Sequence, residues 1–113
     1  MKGSKINIPF RIKVADSFST RLKGLMFRKE PIKSEGLWIV PCNAVHMFFM
    51  RFPIDIVLLN KQNVVVRVYQ HLKPWRMTKP LKYAYSTLEL PAGSTEKLGI
   101  KNGCIIHFSN LGK

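Results

Sequence analysis

The chain is short of acid. Of 113 residues only Asp16, Glu30, Glu35, Asp55, Glu89 and Glu96 are acidic, against 19 Lys and Arg, giving a formal charge of +13. Such a surface attracts polyanions, and its field would favour nucleic acid or an anionic membrane at low salt. No three basic residues are consecutive, however, so the charge reads first as a dispersed, solubilising surface rather than a dedicated groove. With only two cysteines there is no disulfide scaffold, and a reducing compartment suits the chain at least as well as an oxidising one. No run of roughly 18 apolar residues occurs, and Met1 to Asn7 lacks the apolar stretch of a secretory signal. The expected location is cytoplasmic, or at the envelope if a leader has been removed. There is no repeat and no low-complexity segment. No CxxC or HExxH pair marks a metal site, and no motif calls for a cofactor.

What is present is enough apolar sequence, 46% of residues, for one compact domain over residues 1–113. Ile6, Ile8, Phe10, Ile12 and Val14 alternate with polar residues or Pro9, predicting an opening strand with one buried face, at a sheet margin because Pro9 cannot donate to a ladder. Asp16 or Ser17 is placed to cap a two-turn helix through Phe18, Leu22 and Leu25. Strands are then expected at Leu37 to Val40, Val45 to Arg51, Ile54 to Leu59, Val64 to Tyr69, Ala84 to Leu90 and Cys104 to Phe108. Asn60 to Asn63 is a hairpin loop, and a symmetric pairing across it sets Asp55 opposite Val68 with Arg67 on the other face. His71 to Lys82 reads as a basic, Pro-containing loop. Ser94 can start a short helix that ends near Gly99. The predicted fold is mainly β (α+β), a small curled sheet or barrel-like domain with one or two short helices.

The segment from Cys42 to Val57 embeds a thiol, an imidazole, a guanidinium and a carboxylate in apolar sequence, and buried polar groups need partners. Cys42 and His46 invite a nucleophile-and-base reading, but residues four apart in a strand lie about 13 Å apart, which favours a packed thiol and a hydrogen-bonded imidazole. A metal held by Cys42, His46 and His71 or Cys104 would need assembly by tertiary folding alone. Asp55, between Ile54 and Ile56-Val57-Leu58-Leu59, is expected to be buried, either accepting backbone amides to fix the bend at Phe52-Pro53 or facing a cavity. Arg51 and Arg76 suit an ion pair or a bound anion as well as a solvated surface. Glu89 alternates with Leu88 and Leu90 as an outward strand position would. Met47, Phe48, Phe49, Met50 and Phe52 fill a core or line a cavity, with core the default. Trp75 and Arg76, with Lys79, Lys82, Tyr83 and Tyr85, could stack bases in a positive field, although no recognised nucleic-acid motif accompanies them.

The order and spacing of several blocks give the chain a family resemblance. Arg21-Leu22-Lys23-Gly24-Leu25-Met26-Phe27-Arg28, Gly36-Leu37-Trp38, Cys42 with Val45-His46, and Phe49-Met50-Arg51-Phe52-Pro53-Ile54-Asp55 come first. Val64-Val65-Val66, Lys73-Pro74-Trp75-Arg76 and Leu88-Glu89-Leu90-Pro91-Ala92-Gly93 complete a pattern that covers nearly the whole chain. It resembles the domain of unknown function 192 family of small prokaryotic proteins, most closely its Cys-x-x-x-His and Pro-Trp-Arg variants. The resemblance implies a mostly β domain and a family-wide constellation of Arg28, His46, Asp55 and Glu89, but no activity. It also implies that some relatives carry leaders or membrane anchors. Gly103-Cys104 departs from the family's usual Gly-Asp, so no acidic role carries over there.

Three functional expectations follow. The leading one is a non-catalytic binding or accessory domain with a recessed ligand site at His46, Arg51, Asp55 and Glu89. The second is a polyanion- or nucleic-acid-binding basic domain using Trp75, Arg76, Lys79 and Lys82. The third is a small enzyme relying on Cys42 with His46, or on Asp55 as a base.

Overall fold

The computed structural model describes residues 4–15, 33–44, 46, 47 and 50–112. The helix expected from Asp16 or Ser17 onward, and Arg28, lie outside them. The opening alternation is broken by Pro9-Phe10 into two strands, β1 (Lys5–Ile8) and β2 (Arg11–Ala15), rather than one. The break lets the halves join different sheets. β1 pairs in parallel with β7 (Ile105–Phe108), and β2 enters the main sheet.

That sheet also contains β3 (Glu35–Ile39), β4 (Ile54–Leu59), β5 (Val65–Leu72), β6 (Ser86–Pro91) and β8 (Leu111–Gly112). Its order is β5-β4-β6-β3-β2-β8, so the sheet is open and β5 forms one edge. The expected hairpin between β4 and β5 is present. Asn60 Oδ1 accepts from the N–H groups of Gln62 (2.9 Å) and Val64 (3.0 Å), which turns the chain between the strands. The strand expected at Val45 to Arg51 is not found among its described residues: His46 makes only an isolated antiparallel bridge to Met77. The segment follows a cis Val40–Pro41 bond and is held by the 73–85 loop, where Met47 and Trp75–Arg76 exchange backbone hydrogen bonds.

All six β4 residues are buried, because both faces of the sheet are covered. On one face Ile12, Val57, Leu59, Leu88 and Leu90 pack with Ile8 and Ile106 of the two-stranded ribbon and with Ile100 and Cys104. Trp38 reaches over to stack on Phe108, with ring centroids 4.4 Å apart. The other face packs Ile54, Ile56 and Leu58 against Met47, Met50 and Phe52, so these methionines and this phenylalanine are core. At Gly36 the strands crowd: a Cβ would lie 2.8 Å from the Glu89 carbonyl oxygen and 2.9 Å from Ile12 Cδ1, so glycine is required there.

The one helix among the described residues is α1 (Ser94–Leu98). It begins after Gly93 (φ 92°) and ends at Gly99 (φ 71°), both in the left-handed region where glycine is unstrained. Among the described residues no helix is long and apolar enough to cross a membrane.

Candidate functional site

The four residues expected to form a recessed site do not converge on one. Asp55 pairs across β4 and β6 with Leu90, and Ile56 pairs with Glu89. Opposed residues share a face, so the carboxyl groups of Asp55 and Glu89 point to opposite sides of the sheet. Arg51 is exposed just ahead of β4, and His46 is exposed beside Met77.

Asp55 is completely buried and its carboxylate is fully engaged. One oxygen, Oδ1, accepts the His71 N–H (2.9 Å). The other, Oδ2, accepts the Gly93 N–H (3.1 Å), the Thr95 N–H (2.9 Å) and the Thr95 hydroxyl (2.8 Å). The partner of the acid is therefore not the Phe52-Pro53 bend but two distant segments. Gly93 has no side chain with which to cap α1, and Asp55 supplies that cap from the neighbouring strand. It also takes up a β-bulge. Between the Ile54–Leu72 and Ile56–Tyr69 pairs, β5 carries one residue more than β4, so Asp55 lies opposite Gln70 and His71 rather than Val68. His71 has a φ of 51°, and Gln70 donates from Nε2 to the Thr95 hydroxyl (3.1 Å). Arg67 does lie on the face away from Asp55: it pairs with Leu58 and covers the ring of Tyr69 at 5.7 Å.

Glu89 is buried too, against the outward position its alternation suggested, because loops cover that face. It is flanked across the sheet by Leu37 and Ile56, and burial pushes its carboxyl from an ordinary value of 4.5 up to about 7. Cys42 turns its thiol to the Ala44 carbonyl (2.9 Å), a local bond within the turn. Cys104 is buried in the core with Sγ 3.9 Å from the Gly99 carbonyl. Among the described residues no group of three His, Cys, Asp or Glu is placed to hold a metal ion.

Trp75, Arg76, Lys79 and Lys82 are all exposed and all lie on one loop, 73–85, which follows β5. Of the five large apolar side chains exposed among the described residues, four belong to it: Trp75 (58% exposed), Met77 (67%), Tyr83 (75%) and Tyr85 (40%). The loop is anchored, since Leu81 donates to the Asn43 carbonyl (3.1 Å) and Tyr85 to that of Leu59 (2.7 Å). Lys61 covers the Tyr85 ring at 5.4 Å. Where β5 runs into the loop, Tyr69, His71, Lys73, Arg76 and Met77 line an open basin of about 560 Å³. The sequence carries a signal for this surface that a count of consecutive bases misses. Between Asp55 and Glu89 there is no acidic residue at all, whereas Lys61, Arg67, Lys73, Arg76, Lys79 and Lys82 fall there.

The sequence profile of the DUF192 family, described as an uncharacterized ACR, matches residues 2–108. A UPF0127 protein of Pyrococcus furiosus is 36% identical over 97% of this chain and 95% of its own length. Another, of Thermococcus kodakarensis, is 31% identical over 88% of this chain and 65% of its own length. Among solved structures, a protein of unknown function from Novosphingobium aromaticivorans superposes with a TM-score of 0.73 at 29% identity, over 83% of this chain and 71% of that one.

Two outcomes test the roles assigned to the buried acids. Asp55→Ala removes the acceptor of the buried Thr95 N–H and hydroxyl and of the part-buried His71 and Gly93 N–H groups, and urea unfolding is expected to show a loss of at least ~3 kcal/mol. A loss under ~1 kcal/mol would remove the network from the fold's essentials. Glu89, whose folded pKa is raised, binds more protons folded than unfolded between pH 4.5 and about 7. Its contribution to stability is thus full below pH 4.5 and is lost as pH rises to about 7. Glu89→Gln is expected to abolish that decline, and to gain roughly 2–3 kcal/mol at pH 8 relative to pH 4 when compared with the parent. An unchanged pH profile would contradict the assignment.

Proposed function

Since the chain belongs to the DUF192 family, whose description assigns no activity, we propose from its own geometry that it is a non-catalytic binding domain for an anionic partner. The partner is held on the 73–85 loop and the adjoining edge of β5. The observation that carries this reading is the coincidence, on one anchored loop without an acid, of four exposed large apolar side chains with Arg76, Lys79 and Lys82. Large apolar groups are retained on a surface at a cost in solubility, and a cluster of them marks a contact surface more often than scattered ones do. The accompanying cations select the sign of the partner, and the net charge of +13 steers it in.

This reading joins the expected binding domain to the expected basic surface and moves the site out of the sheet interior. A second reading attaches to Glu89. A buried carboxyl with its pKa raised to about 7 keeps a protonated fraction near neutral pH that can donate a hydrogen bond to a neutral polar ligand, whereas Asp55, with four donors already on its carboxyl, has no such capacity.

The basic-surface reading is tested with inorganic polyphosphate at ~50 mM salt, where binding is expected, falling on the order of tenfold or more by ~200 mM. Exchanging Arg76 and Lys79 together for Glu is expected to weaken binding at low salt by at least about tenfold. Unchanged binding by that variant, or none by the parent at ~50 mM, would contradict the proposal.

A further inference from the structure

We infer that the anionic partner is single-stranded nucleic acid, with bases stacked on Trp75 and Tyr83 and phosphates met by Arg76, Lys79 and Lys82. The inference rests on the binding surface proposed above and names what fits it.

A single strand presents two things at short, regular spacing: a phosphate anion and an unpaired aromatic face. The loop and strand edge carry both complements as neighbours. Trp75 is followed by Arg76, Lys82 by Tyr83, Lys61 lies over Tyr85 and Arg67 over Tyr69. Three of the four exposed apolar side chains of the loop are rings; the fourth is Met77. Rings stack on bases regardless of sequence, because every base has a π face. An anionic membrane would match the charge equally well, but a surface that inserts into lipid draws on aliphatic and aromatic side chains along one apolar face. Here charges interrupt the rings, and Met77 is the one large aliphatic side chain exposed on the loop.

The backbone at Trp75 points the same way. This bulky residue sits at φ 68°, a left-handed conformation that costs a non-glycine residue about 1 kcal/mol or more and persists only where neighbours hold it. It is held there by its N–H donating to the Met47 carbonyl (2.7 Å), and the indole is left largely in solvent. A strained backbone that displays a ring instead of burying it serves recognition better than packing. Duplex DNA fits poorly: its bases are stacked on each other, and the five-residue helix α1 has its first turn buried, so it cannot enter a groove. The edge strand β5 has eight residues, or roughly 26 Å of track, which suits a short single-stranded site rather than a long one. Because every base has a π face, stacking on these rings is expected to carry little base preference.

The test compares four probes at ~50 mM salt: a labelled oligothymidylate of about 12 nucleotides, the abasic strand of equal length, the matching duplex, and vesicles of anionic phospholipid. The oligothymidylate is expected to bind at least about tenfold more tightly than the abasic strand and more tightly than the duplex. Trp75→Gly deletes the ring while accepting the same φ, and Tyr83→Ser deletes the second ring from an exposed site. Each is expected to cost about tenfold on the oligothymidylate and little on the abasic strand. Near-ultraviolet circular dichroism of Trp38 on Phe108 reports whether each variant is folded. Equal binding of both strands, or variants that bind as the parent does, overturns the stacking inference and leaves the anionic surface standing. Vesicle binding without oligothymidylate binding overturns it in favour of lipid. No binding to either strand or to polyphosphate overturns both.

Discussion

The Asp55 carboxylate ties together three parts of the chain that are remote in sequence. From the second position of β4 it reaches His71 on β5 and Gly93 and Thr95 at the start of α1, with both Thr95 hydrogen bonds buried and those of His71 and Gly93 partly so. A buried charge is tolerated only when its lone pairs are taken up by donors, and four donors meet that condition. The consequences run outward. The bulge at Gln70 and His71 has a partner for the N–H it withdraws from the ladder, and α1 has a cap although its own N-cap residue is glycine. The end of β5 is thereby aimed toward Lys73 and the loop beyond. The approach to the exposed loop is set by a carboxylate that is itself completely buried.

The sheet separates two polar groups that look adjacent in a list of candidates. Asp55 looks toward the face closed by α1 and the β1–β7 ribbon, and Glu89 toward the face closed by the loops. Donors surround Asp55, whereas Leu37 and Ile56 flank Glu89, whose carboxyl is accordingly driven toward its neutral form. The same strand pairing that builds the core therefore takes the recessed cluster apart and leaves the charged loop as the place where side chains meet solvent together.

Much of this was legible in residue order. The alternation around β1 and β2, the apolar run of β4, the Asn60 to Asn63 turn and the glycines bounding α1 each carry a local rule, and local rules survive folding. The burial of Asp55 was legible from its neighbours, but its partners were not, since Gly93 and Thr95 lie about 40 positions away. The bulge defeated the symmetric hairpin register for the same reason: nothing local at Val68 to His71 announces an extra residue whose N–H is claimed by another strand. Glu89 misled because alternation distinguishes two faces without saying that both are covered. The charged surface was half visible. Its residues were identifiable, but the dispersal of bases along the chain concealed that the interval from Asp55 to Glu89 contains no acid.

Architecture lies in the sheet interior, and recognition is proposed for the 73–85 loop. Hydrogen–deuterium exchange of the full chain, with and without a saturating single-stranded oligonucleotide, separates the two most directly. Protection gained across 73–85 and the β5 edge, with exchange at Asp55, Gly93 and Thr95 slow and unchanged, is the expected result. Protection gained around Glu89 in β6, with 73–85 exchanging as in the free protein, would contradict it and return the site to the interior of the sheet.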